Sequence, residues 1–393
     1  MRWWVAMSMR DTDAMHSVVG WDIGGAHVKA SVLRRGEVVD VAQWTCPLWQ
    51  GMAQLDTALD AARQRWPQLS AMQHAVTMTG EMVDLFANRE DGVQRIAQAL
   101  EHALEQPSAT SAKSDRRSAV HFYAGDAGWC RGADVAANWA QIASANWLAT
   151  ARHAALVFGD GTAEGVLVDI GSTTTDLIAF RAGRVLTRSR TDAQRLAHGE
   201  LVYQGAVRTP LCALAQRIDW RGAPHNVMNE FFATTADVYR LTAELNPAHD
   251  LHPSADNAAK DLPATRQRLA RMVGLDARDG SAEAWSAFAR AWREAQVGEL
   301  GSQLRRVIEA HRLGDAAVVV SAGCGDFLVR DVLARAADVS VTTPSQPRRL
   351  AAYGSEVARV SAHASGGRSA TEAWAQVCAP SVAVAALFDR DHR

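Results

Sequence analysis

Two things are scarce in this 393-residue chain: cysteines at useful spacings and an excess of charge of either sign. Cys46, Cys130, Cys212, Cys324 and Cys378 are odd in number and no two are close together. That argues against a zinc-type pattern and a disulfide framework, and makes a reducing cytoplasm the expected compartment. The formal net charge is −2, so no overall basic footprint invites nucleic acid or an anionic membrane surface. No apolar run approaches the roughly 20 residues that span a bilayer. The opening MRWWVAMSMRDTDAMHS has too short an apolar stretch for a secretory signal, and Asp11 and Asp13 speak against a transit peptide. Residues 1–16 read as a disordered extension or an upstream start. Hydrophobic residues at 48% and charged residues at 21% are ordinary for a globular protein, and the length suits two domains.

What is present is a long-period repeat. GWDIGGAHVKASVL (20–33) and VDIGSTTTDLIAF (168–180) share Asp-Ile-Gly-small followed by a β-rich run. Each copy goes on to a glycine-containing tight turn, at Gly36 and at Gly183, and a third β-rich run. One Asp-x-Gly after a strand is usually only a turn. Two copies with matching flanks read as two like-built halves around one phosphate site.

The first half reads as strands 18–22, 27–33 and 38–44, helix 51–66, strand 75–79, helix 92–104, strand 120–124 and a long Ala-rich helix 134–154. The second half restarts with strands 166–170, 175–180 and 185–187. Helix 229–245, a polar loop 246–263, helix 264–273 and a helix 282–311 broken near Gly298 or Gly301 are expected next. Strand 316–321, a weak strand 339–342 and a last helix entered through Pro380 complete it. The expected layout is domain I over 17–160 and domain II over 161–393. An inserted helical substrate region covers about 220–312, and the C-terminal helix is expected to return to domain I. This alternation is an α/β layer with helices on the sheet faces.

In an open α/β sheet, ligands sit beyond the carboxyl ends of the strands. Four notable turns fall there: Asp22-Ile23-Gly24-Gly25, Thr79-Gly80-Glu81, Asp169-Ile170-Gly171-Ser172 and Ala322-Gly323-Cys324-Gly325. Their glycines admit close backbone approach, and successive N–H groups make an anion-binding concavity. Gly24, Gly25, Lys29, Gly171, Ser172, Thr173, Thr174, Gly323 and Gly325 are therefore the phosphate-binding candidates. A G-x-G turn entering a helix is equally a plain helix start, so Gly323 and Gly325 are the weaker members. Asp22 and Asp169, expected to face each other across a cleft, suit Mg²⁺, which takes one or two carboxylates, waters and phosphate oxygens. His27 more often fills a strand face than binds metal, the tryptophans read as packing, and Arg266, Arg268 and Arg271 read as a solvated helix face, with the alternative that one of them reaches an anion.

The doubled motif resembles the phosphate loops of the actin-like superfamily, which includes sugar and acetate kinases and chaperone ATPases. It also resembles the hydantoinase/oxoprolinase relatives and, most specifically, the family of tetrahydromethanopterin-linked one-carbon transfer pathway proteins. The stretches that carry this are GWDIGGAHVK, TGEMVDLF, DIGSTTTD, GELVYQGAVRTP, NEFFATTADVYRL, RLARM and APSVAVA, in order from residue 20 to 385. The resemblance implies an actin-like, ribonuclease H-like fold of two domains, with duplicated βββαβαβα halves around a central cleft. It also implies the methanofuran-pathway synthase reaction. In that reaction (5-aminomethyl-furan-3-yl)methyl diphosphate and the phenol oxygen of γ-glutamyl-tyramine, or of a tyrosine analogue, form an ether and release diphosphate. The implied partners are these small molecules, with no nucleic acid, no membrane and a homo-oligomer left open.

A phenol has an ordinary pKa of about 10, so such a reaction benefits from a positioned base. Glu81 is the first candidate and Glu230 the second; either carboxylate is equally suited to hold the donor's aminomethyl cation. Lys29 joins them as a catalytic candidate. Asn146, Arg208, Thr234 and Thr235 are candidate substrate contacts. An ATP-dependent kinase or ligase of the same fold, with an adenosine pocket near 323–327, is the competing reading, since fold does not fix function. A nucleotide-dependent scaffold and hydantoin or oxoproline hydrolysis are the remaining alternatives.

Overall fold

The computed structural model describes residues 17–105, 120–337 and 348–393. The expected extension over 1–16 and the weak strand over 339–342 lie outside these residues. The described chain divides into two compact units. One takes the described residues of Met1–Gly161, Ala182–Val185 and Ala352–Arg393; the other takes those of Thr162–Arg181 and Leu186–Ala351.

In the first unit, β1 (Ser17–Ile23), β2 (His27–Arg34) and β3 (Glu37–Thr45) form an antiparallel meander. Arg35 and Gly36 turn β2 into β3 with φ of 52° and 78°. Positive φ at both central residues lets a two-residue turn match strand twist. β4 (Gln73–Met78) and β5 (Val120–Tyr123) add in parallel, and β6 (Trp129–Cys130) closes the order β3-β2-β1-β4-β5-β6. Every residue of β1 is buried, because the sheet is covered on both faces. Val19, Trp21 and Ile23 join the core formed with Leu55, Leu59, Ile96 and Leu100 of the helices Ala53–Arg65 and Arg89–Leu104. The other face receives the helix Ala379–Asp391, which crosses β1, β2 and β4. Gly20 permits that crossing, since a Cβ there would lie 2.7 Å from Ala385 Cβ and overlap Ser381 O.

The second unit repeats the plan. β7 (Glu164–Ile170) and β8 (Thr175–Arg181) form the hairpin, β9 (Leu201–Val202) pairs with β8, and β12 (Val318–Ala322) runs parallel to β7. With β13 (Leu350–Ala352) at the edge, the order is β9-β8-β7-β12-β13. The core β2-β1-β4 and its counterpart β8-β7-β12 have the same pairing senses: an antiparallel hairpin, then a parallel neighbour. This is the duplication expected from the repeat, in the actin-like arrangement that the resemblance implies. Between β9 and β12 lie a small hairpin of β10 (Arg217–Trp220) and β11 (Ala223–Asn226) and the helices Thr235–Leu241, Leu262–Arg271 and Ala282–His311. Trp220 stacks on Trp285 at 4.2 Å, and Phe288 and Trp292 extend that aromatic core. No helix among the described residues is long and apolar enough to cross a membrane.

Four local expectations are corrected. The helix expected over 134–154 is instead two short turns, Asp134–Ala137 and Trp139–Ile142, followed by the helix Asn146–Val157. The break falls where Ala143 bridges to Met78 and Ser144 takes a φ of 51°, a tertiary demand that alanine's helix propensity does not override. The helix expected over 229–245 is only Thr235–Leu241, because Ala233 and Thr234 pair with Leu211 and Pro210. The helix Ala282–His311 is unbroken; Gly301 stays helical while leaving room for Arg335, whose Cβ and Cγ a Cβ there would meet at 2.8 Å. Arg268 is not solvated. It is fully buried, 2.8 Å from Asp237 and 3.2 Å from Asp256, partners too distant in sequence for helical periodicity to reveal.

Candidate functional site

Each unit builds the same turn at the carboxyl end of its first strand. Gly24 N–H donates to His27 O at 2.9 Å, and Gly171 N–H donates to Thr174 O at 2.8 Å. The turn leaves Gly24 and Gly25 in one unit, and Gly171, Ser172, Thr173 and Thr174 in the other, half-buried rather than sealed.

In the second unit, two distant stretches converge on this turn, one over residues 205–208 and one over 323–325. Gly205 backs onto it so closely that a Cβ would lie 2.6 Å from Gly171 O. Ala206 N–H donates to Gly171 O at 2.9 Å and Arg208 N–H to Ser172 O at 2.8 Å. Gly325 N–H donates to Ile170 O at 2.8 Å, while Gly323, at φ 87°, would bring a Cβ to 2.6 Å from Asp169 Oδ1. Arg208 Nη1 donates to Thr173 Oγ1 at 3.4 Å, and burial pulls its pKa below the usual range. A half-buried guanidinium against the Thr173 hydroxyl is suited to a multiply charged anion. Thr235 Oγ1 and Gln296 Nε2 donate to Gly205 O at 2.9 and 3.1 Å, holding the clasp from behind. Thr234 caps the helix that begins at Thr235. The two threonines thus build the wall, whereas Glu230 is exposed on the loop before them. His252, on the segment 246–263, lies in the field of Arg208 and Lys260; burial, then these charges, lower its pKa to about 4.

In the first unit, Asp22 on β1 stands opposite Lys29 on β2, and Asp22 is buried. Lys29 Nζ donates to Val377 O at 3.1 Å, at the C-terminus of the helix Arg368–Val377, where a cation complements the helix dipole. The equivalent pair in the second unit is Asp169 opposite Asp176, and Asp176 is ion-paired with buried Arg195. Glu81 follows β4 and is buried, at 1% exposure. Gly80 lets this segment approach the phosphate-type turn, with its Cβ position 3.2 Å from Ile23 O and 3.3 Å from Gly24 O. Burial raises the Glu81 pKa, and Ser144 and Arg89 pull it back. Asn146 is the first residue of its helix, and its Oδ1 accepts from Trp147 N–H.

Sequence reasoning missed Ser144, Arg89, Gly205 and Gln296. Gly205 lies inside a quoted stretch, and a glycine three residues before the candidate Arg208 was the available signal. The others are brought in by tertiary structure alone. No group of three or more His, Cys, Asp or Glu side chains able to hold a metal occurs among the described residues. A single carboxylate in each turn, with hydroxyl neighbours in the second, still fits Mg²⁺, whose remaining ligands are commonly water and substrate phosphate.

The sequence profile of the hydantoinase/oxoprolinase family matches residues 72–364. A curated relative from Methanocaldococcus jannaschii, named (4-{4-[2-(gamma-L-glutamylamino)ethyl]phenoxymethyl}furan-2-yl)methanamine synthase, is 27% identical over 338 residues, covering 84% of this chain and 95% of its own length. The protein of the same name from Methanococcus vannielii is 27% identical over 196 residues, 46% of this chain and 86% of its own. Among solved structures, a ROK hexokinase from Thermus thermophilus aligns with a TM-score of 0.41 at 14% identity, over 95% of this chain and 99% of that one.

Proposed function

This chain belongs to the hydantoinase/oxoprolinase family, and from that premise we propose that it is a furanmethyl transferase of methanofuran-type cofactor biosynthesis. It joins (5-aminomethyl-furan-3-yl)methyl diphosphate to the phenol oxygen of γ-glutamyl-tyramine, or of a tyrosine analogue, and releases diphosphate. The observation that carries this reading is the match to a synthase of that aryl ether over 95% of the relative's length. The second unit's turn supports it: a backbone concavity, the Ser172 and Thr173 hydroxyls and a half-buried Arg208 suit a diphosphate.

The furan ring can share positive charge at its CH₂, so the carbon–oxygen bond to diphosphate breaks through a loose transition state. Charge then builds on the leaving group, where fixed donors act most strongly. The Ser172 and Thr173 hydroxyls and Arg208 bind that group and hold it in place. Asp169, on the turn that carries those hydroxyls, is the carboxylate that would hold Mg²⁺, which when bound neutralises charge on the departing diphosphate; Asp22 is its counterpart on the first unit's turn. Glu81 takes the phenol proton. Thr234 and Thr235 serve by fixing the wall behind Arg208.

Calorimetric binding in the presence of Mg²⁺ tests this. Inorganic diphosphate and γ-glutamyl-tyramine are expected to bind the same preparation that ignores ATP. Tight ATP binding without diphosphate binding would reject the transferase in favour of a kinase or ligase.

A further inference from the structure

The two oxygens of Glu81 are not equivalent. Oε1 accepts from the Ser144 hydroxyl at 2.8 Å and from Arg89 Nη2 at 3.1 Å. Arg89 Nη2 also donates to Ser144 Oγ at 2.8 Å, closing a ring of three side chains. Oε2 is buried and has no hydrogen-bond partner among the described residues. A buried acceptor left without a donor is costly, and in a native protein it calls for an explanation.

The surroundings are shaped around this carboxyl. Ser144 holds a φ of 51°, a region non-glycine residues seldom occupy and one found where a fold over-determines a functional position. Gly92 lets the helix Arg89–Leu104 press against Glu81, since a Cβ would lie 2.7 Å from Glu81 O and 2.8 Å from its Cα. That close approach sets Arg89, the helix's first residue, within reach of Oε1. Gly80, the residue before Glu81, lies against the carbonyls of Ile23 and Gly24, so the segment that carries this carboxyl packs on the first unit's phosphate-type turn.

We infer that Ser144, together with Arg89, is a positioning residue that occupies Glu81 Oε1 and leaves Oε2 as the oxygen offered to the acceptor hydroxyl. The inference rests on the transferase reading above. As the phenol oxygen's electron pair forms the bond to the furanmethyl carbon, the phenol proton passes to Oε2. The carbon–diphosphate bond breaks, and its pair leaves on diphosphate. Groups facing the carboxyl are Arg89 from its helix, Ser144 from the segment before the helix Asn146–Val157, and Glu81's own backbone N–H. All three favour the ionised form against burial, so removing the Ser144 donor moves the Glu81 pKa further up.

Ser144→Gly is the informative variant, because it deletes the hydroxyl while glycine accepts the positive φ. Glu81 protonation is followed on the full chain by its infrared carboxyl band, assigned by loss of that band in Glu81→Gln. The expected result is a titration point about one pH unit higher in Ser144→Gly, with the acid limb of kcat/KM displaced equally. That gives about a tenfold loss below the limb, with KM for the donor diphosphate unchanged. Arg89→Met moves the titration in the same direction. A titration point and acid limb unchanged in Ser144→Gly would overturn the inference, because a merely structural serine would move neither. Absence of ether formation by the parent protein would overturn the transferase reading instead, and the infrared titration, which needs no substrate, tells the two failures apart.

Discussion

Glu81 and Arg208 show how one residue's chemistry depends on what surrounds it. Glu81 is buried with its charge partly compensated, so it holds its proton at higher pH than an exposed glutamate. Glu230, the other carboxylate considered as a base, is exposed on its loop and has no such environment. Glu81→Gln keeps the shape but removes the proton acceptor; kcat is expected to fall by about 10²-fold or more with the melting temperature little changed. Arg208→Ala removes a charged donor from the second unit's turn. Diphosphate affinity, read by calorimetry, should weaken by roughly tenfold to a hundredfold. Asp22→Asn and Asp169→Asn should each sharply reduce diphosphate release while the fold, read by circular dichroism, is retained. Near-normal turnover in both would reject the carboxylates' role in holding Mg²⁺.

At the scale of elements, the two strand–turn–strand copies are held by glycines that are close-approach sites rather than flexible joints. Gly205→Ala would drive a methyl group into the backbone of Thr173, so the turn must shift or the clasp must open. A loss of about 1–3 kcal/mol in stability is expected with loss of diphosphate binding, read by denaturant unfolding and calorimetry. The segment 246–263 looks polar and loop-like in sequence, yet it is organised by charge. Asp250 binds Arg240 at 2.6 Å and Lys260 at 3.0 Å, and Asp256 reaches Arg268. Asp237 and Arg268 are fully buried beneath it. Asp237→Ala removes the closer of that guanidinium's two carboxylate partners, leaves it Asp256, and should cost about 1–3 kcal/mol. Strands β1, β2, β7 and β8 and both turns were legible, because an apolar strand followed by Asp-Ile-Gly is a local signal written twice. The true start at Thr235 and the break at Ser144 were not. Each is decided by a pairing partner far away in the chain, Leu211 and Pro210 for one, Met78 and Glu81 for the other. For the same reason Glu81 could be named as a candidate, but the serine and arginine that orient it could not.

Across the molecule, several histidines are held neutral by burial. His153 donates to or accepts from Tyr353 at 2.8 Å, and burial, followed by the charge of Arg390, lowers its pKa from 6.5 to about 4. A depressed histidine pKa stabilises the fold fully above the unfolded value, and that stability is lost as pH falls from 6.5 toward 4. The melting-temperature advantage of the parent over His153→Gln should therefore shrink between pH 7 and pH 4.5, a comparison that isolates this group from the carboxyls whose shifts act oppositely. The most direct measurement is mass spectrometry of products after incubating the protein with (5-aminomethyl-furan-3-yl)methyl diphosphate, γ-glutamyl-tyramine and Mg²⁺, with and without ATP, and with tyrosine as a second acceptor. An aryl ether and one diphosphate per ether are expected, at the same rate with or without ATP. No ether with either acceptor, or an ADP-forming reaction that needs ATP, would contradict the transferase reading.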